Sequence, residues 1–158
     1  MRHAEASNEV PGLSDFDRPL TTNGIALTGK VIRYLSEQGC IPDLIISSPA
    51  VRALETARLV AEGLDITPGQ VQVQRIIYDA DRDDLEELWY DIPLTADTLL
   101  LVGHNPGLTD FVNLFLDVPV GSLPTSGLVC LGSDIKEWDR IMEKEAKLHF
   151  IFFPELMK

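Results

Sequence analysis

Two short apolar runs, Asp43-Leu44-Ile45-Ile46-Ser47 and Thr98 to Val102, each give way to a polar residue followed by proline, Ser48-Pro49 and Asn105-Pro106, ahead of helical periodicity. Runs this short, rich in branched apolar residues, suit buried strands better than helices, and a proline is tolerated in a helix's first turn. The pattern therefore reads twice as strand, tight turn, helix, with the helix after Ser48-Pro49 ending near Glu62 before Gly63. Thr22 to Gln38 carries Ile25, Leu27, Val31, Ile32 and Leu35 at helical spacing, with Thr21 or Thr22 as cap and Gly39 as stop. Val71 to Ile77 is predicted as a strand, Arg82 to Tyr90 and Thr109 to Leu116 as helices, and Leu128 to Leu131 and Leu148 to Phe153 as closing strands. Alternation of this kind points to an α/β three-layer sandwich with a mostly parallel central sheet, formed by residues 1–158 as a single domain. No repeat, low-complexity tract or linker interrupts it; 117–121 and 124–125 read as loops.

The chain's 158 residues are enough for one core that buries roughly 70 % of the unfolded surface. A net charge of -12 disfavours a sequence-independent grip on nucleic acid or an anionic membrane, since both need a basic face. Any phosphate chemistry must then come from a few basic side chains gathered at one place. Cys40 and Cys130 lie in apolar stretches without a metal-binding or disulfide pattern and read as reduced core residues. No apolar run approaches the ~20 residues of a membrane span, and the first residues do not resemble a signal peptide. A bacterial-type cytoplasmic protein without metal or cofactor is expected.

In open α/β sheets ligands collect beyond the carboxyl ends of strands, where loops feed helix N-termini. Arg2-His3, Arg52 and His104 fall at such points. Each has a plainer reading: a frayed terminal pair, a solvated arginine paired with Glu55, and a turn histidine. Together, however, Arg2-His3-Ala4-Glu5, Asp17-Arg18-Pro19-Leu20-Thr21, Ser47 to Ala57 and Val102-Gly103-His104-Asn105-Pro106-Gly107-Leu108 occur in the order seen in the histidine phosphatase superfamily. The chain most resembles its SixA branch of phosphohistidine phosphatases, over nearly its whole length. The resemblance implies a phosphoglycerate mutase-like fold and a phosphate pocket of Arg2, His3, Arg52 and His104, with His3 as nucleophile. Charge accumulates on the oxygens of a phosphoryl group in transfer, so two guanidinium forks, and His104 if protonated, would stabilise it without a metal. A neutral His3 nitrogen would form the covalent intermediate.

The segment Ile77-Tyr78-Asp79-Ala80-Asp81 lacks the glutamate motif by which relatives acting on esters protonate an alkoxide. Asp79 is a candidate acid, with a loop-capping role the plainer one. A departing imidazole needs less acid help than an alkoxide, so an N–P bond in a phosphohistidine-bearing protein is the expected substrate. The chain has no room for an inserted lid, which also suits a protein-borne substrate. A general phosphomonoesterase acting on small phosphorylated substrates and a non-catalytic phosphate-binding module are the alternatives. Glu5 is expected to orient His3 or bind the rim, Arg18 to line the rim, and Thr125 and Ser126 to approach the pocket and hold an imidazole tautomer. His149 reads as a structural strand residue, and Trp89, Tyr90 and Trp138 as cover for the core edge. The family sets an apolar strand directly before the Arg-His pair, whereas this sequence opens at Met1-Arg2-His3. Either further residues precede it, which is the expectation, or His3 hangs poorly held on a free terminus.

Overall fold

The computed structural model describes residues 1–8, 11–143 and 146–157. Three parallel strands, β1 (Leu44–Ser47), β2 (Val71–Val73) and β3 (Leu99–Val102), lie in the order β2-β1-β3. Strands β4 (Leu128–Gly132) and β5 (Lys147–Phe152) form a separate antiparallel pair with a register shift between Cys130 and Leu131. Helices α1 (Thr22–Glu37) and α2 (Val51–Gly63) cover one face, and α3 (Arg82–Leu88) and α4 (Gly107–Asn113) the other.

Successive strand residues point to opposite faces, and the two cores divide accordingly. Ile45, Leu100 and Val102 pack against Val31, Leu35, Ala53, Ala57 and Val60, while Leu44, Ile46 and Leu101 pack against Leu85, Leu88, Leu108 and Phe111. Burial on both faces explains why these strands are unbroken apolar runs rather than alternating ones. The predicted layering is therefore present, with three parallel strands among the described residues.

Several predicted boundaries move. The strand expected over Val71–Ile77 stops at Val73, and a 3-10 turn over Arg75–Ile77 follows. β2 is an edge strand whose Val73 is exposed, and the turn is what carries Ile77 into the core. The helix expected at Thr109–Leu116 runs over Gly107–Asn113, and the Asn113 side chain then accepts from Val120 N–H at 2.9 Å and donates to Val120 O at 3.0 Å, tying down the next loop. Neither Ser48 nor Asn105 caps a helix. The cap positions are Ala50 and Pro106, and the Asn105 amide instead donates to Ser122 Oγ and Leu123 O. α3 ends at Leu88, and Tyr90 stands 73 % exposed rather than covering the core, whereas Trp89 stacks between Phe111 and Trp138. Cys40 and Cys130 are half-buried rather than core residues, with their sulfurs 4.0 Å apart.

The segment that carries His3 is firmly held. Arg2 bridges Gly103 in parallel fashion, and Met1 O accepts from Gly103 N–H while His3 N–H donates to Gly103 O at 3.0 Å. On its other side Arg2 N–H donates to Gly127 O at 3.0 Å, and His3 O accepts from Ser126 N–H at 3.1 Å. Residues 1–3 thus join the end of β3 to the start of β4, and the poorly held His3 expected for a free terminus is not found. Before them in the sheet direction, the edges of β3 and β4 flank a cavity of about 590 Å³ lined by Leu99–Leu101 and Leu128–Gly132.

α1 is placed against this segment by Gly24, where a Cβ would collide with the Glu5 backbone. Backbone cannot yield as a side chain can, so Gly24→Ala is expected to cost about 1–3 kcal/mol of stability in denaturant unfolding. An unchanged unfolding midpoint would show that the two segments are not locked together.

Candidate active site

Each strand of the parallel sheet delivers one part of the site at its carboxyl end. Residues 1–3 bring His3, β1 leads through Ser48 into α2 and Arg52, and β3 ends at Gly103-His104. β2 leads through the 3-10 turn to Tyr78. α2 is anchored to the His3 segment by Thr56, whose hydroxyl donates to Arg52 O at 2.6 Å and accepts from Ala4 N–H at 2.9 Å. Ala50, Ala53 and Ala57 on its inner face are fully buried, so the helix lies close on the sheet.

Arg52 is the centre of the cluster and is itself buried. Its Nε donates to His3 Nε2 at 3.3 Å, and its Nη2 reaches His104 Nδ1 at 3.5 Å. The imidazoles of His3 and His104 lie 5.0 Å apart between centroids. Arg2 donates from one Nη to Leu123 O at 2.8 Å, while its buried Nε has no hydrogen-bond partner among the described residues. Glu55, the partner of Arg52 in the plainer reading, turns away to accept from Leu20 N–H at 2.9 Å. Asp15 takes that place, accepting from Arg52 Nη2 at 3.0 Å, and was not signalled by the sequence motifs.

Partners set the tautomers. His3 Nδ1 lies 2.7 Å from Ala4 O, a group that can only accept, so Nδ1 carries the proton and Nε2 the lone pair. His104 Nδ1 faces a guanidinium donor, which leaves Nε2–H to donate to Ser48 Oγ at 2.7 Å. Burial, the neighbouring Arg52 and Arg2 charges and, in opposition, the Ala4 carbonyl bring the His3 pKa down to about 4. Burial, then His3 and Arg52, bring that of His104 down to about 3. Both rings are neutral at pH 7, so the condition under which His104 would act as a cationic donor is not met in the free protein. Burial, and repulsion from Arg52, also lower the Arg2 pKa. Two guanidinium groups and two imidazoles crowded together in this way favour an anion among them.

The other expected site residues divide. Arg18 lies on the rim, 3.5 Å from an Asp15 carboxylate oxygen and bonded to Asn8 Oδ1. Glu5 does not orient His3; its carboxylate accepts from Thr21 Oγ1 at 3.0 Å and Asn23 Nδ2 at 2.7 Å, fastening the start of α1. Ser126 meets Thr28 Oγ1 at 3.4 Å and holds His3 through its backbone, so the imidazole tautomers rest on Ala4 and Ser48 rather than on Thr125 or Ser126. Asp79 is exposed beyond Tyr78, and the cap of α3 is Asp81, which accepts from Asp84 N–H at 3.0 Å. His149 is an exposed residue of β5, away from the cluster. Among the described residues no cluster of His, Cys, Asp and Glu could hold a metal ion, and no helix is long and apolar enough to cross a membrane.

The architecture is that of the phosphoglycerate mutase-like α/β fold: the structure of the protein histidine phosphatase SixA complexed with tungstate superposes with a TM-score of 0.78 at 22 % identity, covering 100 % of this chain and 97 % of that one. A family model described as histidine phosphatase superfamily (branch 1) matches residues 1–93, and the chain belongs to that superfamily of phosphatases. An uncharacterized protein of Picosynechococcus is 30 % identical over 142 residues, 84 % of this chain and 82 % of the relative. An uncharacterized chloroplastic protein of Arabidopsis thaliana is 42 % identical over 65 residues, but the match spans only 30 % of that protein's length.

The ring protons of His3 and His104, followed by NMR, are expected to titrate near pH 4 and 3 rather than near the ordinary ~6.5. Inorganic phosphate should raise both midpoints, because an adjacent anion favours the imidazolium. Midpoints near 6.5 without phosphate would contradict the burial argument.

Proposed function

We propose that the chain hydrolyses phosphohistidine carried on a partner protein, through a phospho-His3 intermediate. The observation that carries this reading is the His3 imidazole, neutral, with its Nε2 lone pair turned toward Arg52 and its other nitrogen fixed by Ala4 O. In the first step Nε2 attacks phosphorus, the P–N bond to the substrate imidazole breaks, and the departing imidazole takes up a proton. In the second, water attacks the phospho-His3, its P–N bond breaks, and phosphate leaves with the enzyme imidazole restored. Arg2 and Arg52 supply donors for the equatorial oxygens, the unpartnered Arg2 Nε among them. Once a phosphoryl dianion lies beside His104, its charge raises the affinity of that ring for a proton, so His104 becomes a cationic donor only in the occupied site.

Two features support an N–P bond as substrate. Asp79 is exposed rather than buried against the cluster. Asp15, the carboxylate nearest Arg52, is held below the usual range by that arginine, its hydrogen bonds and Arg18, against the opposing effect of slight burial, and so makes a poor acid for an alkoxide. A departing imidazole has a nitrogen ready to accept a proton from water or buffer. The overall likeness to the SixA structure supports the same substrate class.

A side-by-side assay of a phosphohistidine protein, free phosphohistidine and small phosphate esters tests the reading. His3→Ala should abolish turnover of all three, whereas Asp79→Asn should leave N–P cleavage within about twofold of wild type and the protein substrate should be preferred. Efficient ester turnover that collapses in Asp79→Asn would assign the chain to ester chemistry instead, and phosphate binding with no label trapped on His3 would leave only a binding module.

A further inference from the structure

Asp15 lies on the 3-10 turn Asp15–Asp17, 37 residues from Arg52 in sequence, yet it takes the outer edge of that guanidinium group. Its backbone carbonyl accepts from Arg52 Nη1 at 2.5 Å and its carboxylate from Nη2 at 3.0 Å. The Tyr78 hydroxyl donates to the same carboxylate oxygen at 3.1 Å, and Arg18 Nε lies 3.5 Å from the other. The inner Nε of Arg52 is directed to His3. The donors best placed to form a bidentate fork on a phosphoryl group are therefore engaged by an oxyanion belonging to the protein. The turn itself is exposed, with the Asp15 side chain 60 % accessible, so the cost of moving it is small.

We propose that Asp15 is a specificity-determining residue, a built-in competitor that a phosphoryl group must displace from Arg52. It rests on the reading of Arg2, His3, Arg52 and His104 as a phosphate pocket. A bare oxyanion such as inorganic phosphate has only its own contacts with which to displace the carboxylate, so it is held weakly. A phosphoryl group mounted on a protein brings further contacts along the rim of Phe16, Tyr78 and Arg75, where the arginine lies 5.6 Å and 5.8 Å from the two ring centroids. Asp15 thereby favours release of product phosphate and admits the larger substrate. Tyr78 and Arg18 steady the competitor rather than touch the phosphoryl group.

Calorimetric titration of inorganic phosphate into wild type, Asp15→Asn and Tyr78→Phe tests this without any turnover. Asp15→Asn is expected to bind phosphate about tenfold more tightly or better, the scale of one charge-assisted hydrogen bond, and Tyr78→Phe to shift the same way by less. In steady state, inhibition by phosphate should strengthen in Asp15→Asn relative to the KM of the phosphohistidine protein. Unchanged or weaker phosphate binding in Asp15→Asn would overturn the proposal, leaving Asp15 as a strut that orients Arg52. Tighter phosphate binding together with no label transferred to His3 from a radiolabelled phosphohistidine protein would keep the competitor and sink the phosphatase reading, while no phosphate binding by any of the three proteins would overturn both.

Discussion

The backbone of His3 is bonded on both sides, to Gly103 by its N–H and to Ser126 by its carbonyl, and every other feature of the site is placed relative to it. Buried peptide groups must find partners, so these bonds fix the position of the imidazole to within the tolerance of a hydrogen bond. The same peptide segment receives α2 through Thr56 and α1 through the close approach of Gly24 to Glu5. An in-line attack on phosphorus loses about 10²-fold in rate for an error of ~1 Å, so the proposed reaction would depend on rigidity of this kind. The side chains that meet at Arg52 arrive on separate strands whose register is set by the parallel sheet.

Electrostatics acts on two scales. The chain carries a net charge of -12, and at a distance it repels anions. Within the cluster the local balance is reversed: Arg2 and Arg52 oppose each other, and burial together with their charges keeps both imidazoles neutral. For the proposed reaction a nitrogen nucleophile has to be neutral, and a local excess of cations is what would hold a phosphoryl group. Asp15, held in place by Tyr78 and Arg18, tempers this excess at the mouth of the site.

Strands β1 and β3 and helix α1 were legible because their signals are local: apolar runs of strand length, and helical spacing closed by Gly39. Gly39 indeed takes a positive φ of 65° at the end of α1. Val71 to Ile77 misled because the same apolar composition serves an edge strand for three residues and a 3-10 turn for the next stretch, and only the position of the core tells them apart. Ser48-Pro49 and Asn105-Pro106 marked the junctions correctly but not the caps, since both polar side chains were drawn to partners across the fold, Ser48 to His104 and Asn105 to Leu123. Asp15 lies three residues before Arg18, just ahead of the Asp17–Thr21 motif and outside every segment that carries the family likeness, and no spacing rule links it to Arg52.

Residue order alone determined the layered α/β plan and the identity of the basic and imidazole groups, because hydrophobic periodicity, proline placement and motif order are properties of neighbours in the chain. Tertiary structure alone decided which nitrogen of His3 holds the lone pair, that His104 is neutral, that Glu5 faces α1 and that Asp15 engages Arg52. Those outcomes depend on burial and on distances between groups tens of residues apart, and Coulomb and hydrogen-bond energies are functions of position in space rather than of separation along the chain.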